Sequence, residues 1–292
     1  EFLDGSGTAE TDPSKITYAE DVQNEWLVHP AFTDVPENGG WDTELEGIWV
    51  GKFEVSGSEN SLAVKPGLRS LRDMVVNAQY KAGKSATFGE ASSELIGSHM
   101  AKNSEWGAVA YLSQSSYGLN GAEIEKNANS SYITGGNSIK STIYTTNAGQ
   151  STTGNAYGVY DMSGGANERT ANYVNYTSGF FTNGGNTEED LYNENNPGES
   201  TKYKTVYEAS GSDREESYNL AAEKKGDGIY ETTNNYRSLN SWFGAYSLFP
   251  ETDIPFFARG GVYDDSYVGV FSFEDYYSGD ASELSFRVVL AF

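Results

Sequence analysis

Apolar residues recur along this chain in two rhythms, separated by long polar stretches. The segment Ile48-Trp49-Val50-Gly51-Lys52-Phe53-Glu54-Val55 is rich in strand formers. It lies between turn signals, Gly39-Gly40 before it and Gly57 after it, and predicts a buried strand. Leu68, Leu71, Val75 and Ala78 follow Pro66 at helical spacing and predict an amphipathic helix, proline being tolerated in a first turn. Trp106, Val109, Ala110 and Ser113 stand at i, i+3, i+4 and i+7 and predict a second helix packed on a sheet. Near the end, Phe286, Val288, Leu290 and Phe292 alternate with Arg287, Val289 and Ala291, the two-residue period of a strand. A strand this apolar needs a partner, and residues 48–55 are the candidate.

The intervening stretches lack such rhythm. Residues 118–154 and 182–236 are rich in Asn, Ser, Thr and Gly, and Asn195-Asn196-Pro197-Gly198 is a strong turn signal. Both stretches are expected as long loops or insertions, and Ser217 to Lys225 admits a short helix. Residues 1–14 read as a flexible N-terminal segment with no legible signal peptide, leaving 15–292 as a single domain.

Composition narrows the chemistry. The 292 residues include 19 Lys+Arg and 42 Asp+Glu, a net charge of −23, which opposes nucleic-acid partners because anion meets anion. With no cysteine, disulfides, thiolate metal sites and cysteine nucleophiles are excluded. The two histidines, His29 and His99, leave little room for a histidine metal centre or a Ser–His–Asp triad. No apolar run approaches the roughly 18 residues that span a bilayer, so no membrane span is expected in this chain. An aromatic content of 14% favours a folded state over an acidic disordered one, since each buried ring removes a large apolar area from water.

Four segments occur in a recognisable order: GIWVGKFEVS (47–56), EWGAVAYLS (105–113), NAYGVYDMSGGANERT (155–170) and FARGGVYDD (257–265), the last followed by SFRVV (285–289). Together they resemble the formylglycine-generating-enzyme (sulfatase-modifying factor) superfamily, a branch of the C-type-lectin-like fold. The resemblance implies an α+β fold with two helices, a short antiparallel sheet and long irregular loops. The catalytic members of that family need cysteines near the last block, and a related branch binds iron through clustered histidines; this chain has neither. The resemblance therefore implies the fold without oxygen-dependent catalysis, and function has to be argued from the site. Arg259-Gly260-Gly261 is expected to form a buried turn, with Arg259 paired to a carboxylate such as Glu168, and Asp161 and Glu168 are expected to cap turns or pair internally. Some relatives hold calcium in their loops through carboxylates and carbonyls; calcium stays an open possibility here with no ligands assigned, and no other cofactor is expected.

The stretch after Arg259-Gly260-Gly261 has a distinct chemistry. Tyr263, Asp264, Asp265, Ser266 and Tyr267 precede an apolar run, Val268 to Phe273, and Glu274, Asp275, Tyr276, Tyr277, Ser278 and Asp280 follow it. Tyrosine gives a large rigid contact face with a polar tip, and Ser and Asp give adaptable hydrogen bonds, the composition of antibody loops. Trp242 and Tyr246 add aromatics nearby. The stretch also resembles the variable region of diversity-generating-retroelement proteins, which display diversified residues on the same fold between an RGG-like start and an FRVV-like strand. The expectation is a non-enzymatic binding protein, extracellular, cell-surface or virion-associated, that recognises a protein or glycan receptor through these residues. The alternatives are a structural or adhesive surface or tail module with merely solvated loops, and a glycan hydrolase built on paired carboxylates. Ligand identity and oligomeric state are not legible.

Overall fold

A computed structural model describes residues 2–3, 26–27, 29–33, 40–88, 96–137, 143–176, 190–192, 198–221 and 224–291. Most of 1–14 lies outside these residues, as do Gly39 and Asn195 to Pro197 of the expected turns. Strand β1 (Phe2–Leu3) pairs antiparallel with β2 (Trp26–Leu27). Then come β3 (Ile48–Val50), the hairpin β4 (Ser56–Ser58) and β5 (Ser61–Ala63), helix α1 (Val76–Ser85), β6 (His99–Met100) and helix α2 (Asn103–Gln114). The second half holds β7 (Asn167–Val174), β8 (Thr205–Tyr207), α3 (Arg214–Leu220), β9 (Arg237–Ser238) and β10 (Ser247–Leu248). It closes with β11 (Phe256–Gly260), β12 (Gly269–Tyr276), β13 (Leu284–Phe286) and β14 (Val288–Ala291). The architecture is α+β with mixed sheets. A seven-stranded sheet runs β13-β7-β11-β12-β10-β9, with β8 also on β7, and a three-stranded sheet runs β3-β14-β6.

The expected pairing of the closing strand with residues 48–55 is present: Val289, Leu290 and Ala291 face Val50, Trp49 and Ile48 in antiparallel register. Two details differ from expectation. The early strand stops at Val50, and its Trp49 is 69% exposed rather than buried. The closing segment is two strands, not one. β13 lies parallel to β7 in the large sheet, β14 joins the small sheet, and Arg287 sits at the switch with its side chain buried.

The first helix begins ten residues after Pro66, not beside it. Backbone hydrogen bonds draw Gly67 to Thr134, Ser70 to Tyr132 and Leu71 to Val55, and these lateral contacts exclude a helical ladder there. In α1 the buried face mixes Val76, Tyr80 and Ala82 with Asn77 and Gln79, so its apolar period is masked. Gln79 Nε2 donates to the Leu284 carbonyl at 3.2 Å, and Asn77 Oδ1 accepts from Leu191 N at 3.1 Å. The α2 expectation holds: Trp106, Ala110 and Ser113 are buried, and Glu105 reaches back to the Lys102 backbone N–H at 2.8 Å to cap the first turn.

The two stretches expected as loops are largely structured where described. Residues 182–236 contribute β8 and α3, and Tyr207 and Tyr218 enter a buried cluster with Phe249, Phe257 and Phe273. In 118–154, Asn127 and Asn129 are buried and satisfy loop backbone: Asn127 Nδ2 donates to the Ile133 carbonyl and Asn129 Nδ2 to that of Asn137. Polar side chains do the ordering there, which is why no hydrophobic period marks it. No helix among the described residues is long and apolar enough to cross a membrane.

Candidate functional site

The framework beneath the tyrosine-rich stretch is a set of buried ions. Arg259 is fully buried; its Nε donates to the Ser272 carbonyl at 3.0 Å and its Nη1 to the Asp227 carbonyl at 2.9 Å. Its expected partner Glu168 lies opposite it in the β11–β7 register but instead accepts from Arg287. Arg287 also donates to the Gly51 and Tyr160 carbonyls, at 2.5 and 2.9 Å. Burial raises the Glu168 carboxyl to about 7 against the pull of Arg287. Asp161, also buried, accepts from Asn127 Nδ2 and the Gly135 N–H, both at 2.8 Å. Asp161 and Glu168 thus serve internal pairing.

At Gly260 and Gly261 φ turns positive, 84° and 70°, and the chain leaves β11 for the connection to β12. A Cβ on Gly261 would lie 2.4 Å from Val268 Cγ1, so the close return of the connection needs glycine there. Within it Tyr263 is half-buried, its N–H bonded to the Gly165 carbonyl and its ring edge-on to Tyr132 at 5.1 Å. The guanidinium of Arg72 covers the Tyr132 ring at 3.9 Å. Asp264 and Ser266 are exposed, and Tyr267 is 50% exposed. Asp265 Oδ1 accepts from the Tyr267 N–H at 2.9 Å, and the Tyr267 carbonyl accepts from the Tyr246 N–H at 2.8 Å. Tyr246 is half-buried and lines a groove together with Asp265, Tyr267, Glu274 and Asn167.

The second cluster belongs partly to the strand. Glu274, Asp275 and Tyr276 lie inside β12, which runs past the apolar run. Glu274 is half-buried and accepts from Asn167 Nδ2; burial first, then the neighbouring Asp275 and Asp265, raise its carboxyl to about 7. The Tyr276 hydroxyl donates to Glu283 Oε1 at 2.6 Å, and its ring lies 5.5 Å from that of Tyr277, which is 45% exposed. Glu283 adds to the upward shifts at both Tyr132 and Glu274, each caused mainly by burial. Its carboxylate contacts Tyr276 of the second cluster.

Three of the expected site residues lie elsewhere. Trp242 is a core residue, 3% exposed, with its ring 4.8 Å from Phe271 and 6.0 Å from Tyr111. Asp275 is buried and ion-paired with Arg214 at 2.6 Å, and Ser278 is buried beside α1, its carbonyl accepting from the Val76 N–H. Asp280 is exposed. Half-buried Tyr132 and Glu283 contact the expected tyrosines, and buried Asn167 donates to Glu274, without any of the three having been expected there. Tyr132 sits in a stretch that reads as loop, and Asn167 in a block that reads as framework, so neither carried a signal.

His29 and His99 are both buried, and His99 Nε2 contacts Glu105 Oε1 at 2.7 Å. Among the described residues no group of three or more His, Asp or Glu side chains is placed to hold a metal ion. Comparison with protein-family models and with curated proteins finds no match for this chain.

Proposed function

We propose that the chain is a non-enzymatic recognition protein of the C-type-lectin-like class, displaying the face of Tyr132, Tyr263, Tyr267, Tyr276 and Tyr277 to a protein or glycan receptor outside the cell or on a virion. The observation that carries the reading is the half-exposure of Tyr267 and Tyr277 on a backbone that is otherwise tightly bonded. Exposed tyrosines flanking a buried strand supply the aromatic contact surface that interfaces are enriched in. Support for the class comes from the way the resembling blocks touch one another. Glu54 of the first accepts from the Ala166 N–H of the third, Trp106 of the second donates to the Val270 carbonyl beyond the fourth, and Arg287 of the last binds Gly51 and Glu168.

The test is binding of the full chain to a glycan array and to a displayed random-peptide library, compared with the Tyr267→Ala/Tyr277→Ala variant. Binders lost in the variant, whose fold is checked by circular dichroism, support the reading; binders indifferent to both substitutions overturn it. A second reading, carboxylate-based hydrolysis of a glycan, draws on Glu274 and Asp265 lining one groove with Glu274 raised to about 7. Turnover of a glycoside that vanishes in Glu274→Gln would favour it over recognition alone.

A further inference from the structure

We propose that β3 is the seat of a homodimer, in which a second copy of this chain adds its own β3 antiparallel to the open edge, on a two-fold axis beside Trp49. The proposal goes beyond the recognition reading and uses none of its residues. β3 is the edge of the three-stranded sheet, with β14 on one side and, among the described residues, no strand on the other. The Gly51 N–H donates to the Val288 carbonyl at 2.8 Å. In an antiparallel ladder successive residues turn their backbone groups to opposite sides, so Gly51 and Trp49 bond β14 while Ile48 and Val50 direct theirs outward. The strand itself is Ile-Trp-Val, without the proline, charge or bulge that keeps strand edges from pairing.

The two faces of this sheet differ. Ile48 and Val50 are half-buried on the side of Val289 and Ala291, which are buried. Trp49 points the other way and stands exposed beside its register partner Leu290, which is half-buried. An indole presented this openly next to a second apolar side chain is surface that an interface would cover.

The register selects the partner. Pairing centred on Trp49 sets Ile48 against Val50 of the second copy and Val50 against its Ile48, so the outward backbone groups of the two strands meet in hydrogen-bonded positions. The two Trp49 residues then form a non-hydrogen-bonded pair, with Cα atoms about 4.5 Å apart and side chains in contact. Glu46 and Lys52 stand three residues to either side of Trp49, so each Glu46 comes opposite Lys52 of the other copy. Glu46 is exposed. Lys52 bonds the Ala156 carbonyl and lies 4.8 Å over the Tyr144 ring, and among the described residues no carboxylate pairs with it. An edge that complements itself in hydrogen bonds, apolar surface and charge fits an isologous contact, in which every feature is used twice. Repulsion between two chains of net charge −23 keeps the association weak and reversible.

Sedimentation equilibrium of the full chain at pH 7, in about 0.15 M salt and from about 5 to about 500 µM, is expected to find a reversible monomer–dimer equilibrium. Trp49→Lys, at a solvent-facing position, is expected to weaken it at least about tenfold. Tyr157→Lys makes the same change in charge at an exposed aromatic outside the strand and is expected to leave the dimer unchanged. Glu46→Lys separates local pairing from overall charge. It makes the chain less negative, which alone would tighten association, whereas the register sets it against Lys52 and predicts loosening by about fivefold. Circular dichroism checks the fold of each variant. A parent that stays monomeric throughout overturns the proposal, as does a dimer indifferent to Trp49→Lys, equally weakened by Tyr157→Lys, or not loosened by Glu46→Lys. None of these results touches the recognition reading.

Discussion

Arg287 and Glu168 form an ion pair in which each side chain is 1% exposed, joining the switch between β13 and β14 to the start of β7. The pair is surrounded by backbone rather than water: Arg287 also bonds the Gly51 and Tyr160 carbonyls. Removing the cation leaves the buried Glu168 carboxyl without its ion partner, so it must take up a proton or stay charged in a dry site. Arg287→Ala is therefore expected to cost about 3–5 kcal/mol in urea unfolding. Pairing it with Glu168→Leu is expected to recover part of that loss, since the orphaned acid is then gone.

Stability should fall as pH rises through neutrality. Burial raises Glu168, Glu274 and Asp275 to about 7 and Glu231 to about 8, from ordinary values near 4. The native state therefore binds more protons than the unfolded chain between roughly pH 4 and 8, and the slope of stability with pH is negative in that window. The contribution is fully present below the unfolded values and is lost as pH passes the native ones. Relief of the −23 net charge on acidification acts in the same direction. Calorimetry should find a melting temperature at pH 5.5 at least about 3 °C above that at pH 8.5; a rise towards alkaline pH would contradict these assignments.

Trp242 separates the core from the surface. Its replacement by Ala empties a site between Phe271 and Tyr111 and should cost about 3–5 kcal/mol. Tyr267→Ala and Tyr277→Ala should each stay within about 0.5 kcal/mol of the parent, because their rings are half in solvent. Receptor binding should rank the variants the other way once folded fractions are equal. Chemical denaturation beside a binding isotherm checks both orders.

Gly107 in α2 offers a test in which propensity and packing oppose one another. Alanine is the better helix former by about 1 kcal/mol. A Cβ at this position, however, would lie 2.0 Å from the Gly226 carbonyl oxygen and 2.8 Å from Asp227 Cα. Those backbone atoms belong to the segment that receives Arg259, so they have little freedom to retreat. Gly107→Ala is expected to destabilise by about 2 kcal/mol or more, read as a lowered thermal midpoint.

What the sequence made legible was apolar and periodic. α2 announced itself because Trp106, Ala110 and Ser113 face one way, and β14 because its residues alternate and demand a partner, which β3 supplies. α1 was displaced by a helical turn or more because Asn77 and Gln79 occupy its buried face, and a polar residue aimed inward is invisible to a hydrophobic period. The pairing of Glu168 with Arg287 rather than Arg259 depends on side-chain direction across neighbouring strands, which register alone does not give. In the candidate site, composition singled out Tyr267 and Tyr277, which are half-exposed, together with Trp242 and Ser278, which are buried, because an aromatic or a serine in a sequence carries no mark of which way it faces. Tyr132 arrives from far upstream through tertiary contact alone.

The marriage of β3 to β14 also sets a timetable. Residues 48–50 have their sheet partner in residues 289–291, so a ribosome working at about 5–20 residues per second leaves the early strand single for roughly ten to fifty seconds. During that interval Trp49 and its neighbours are an unpaired edge in a crowded cell. A chain that stops short of Val289 never closes this edge at all.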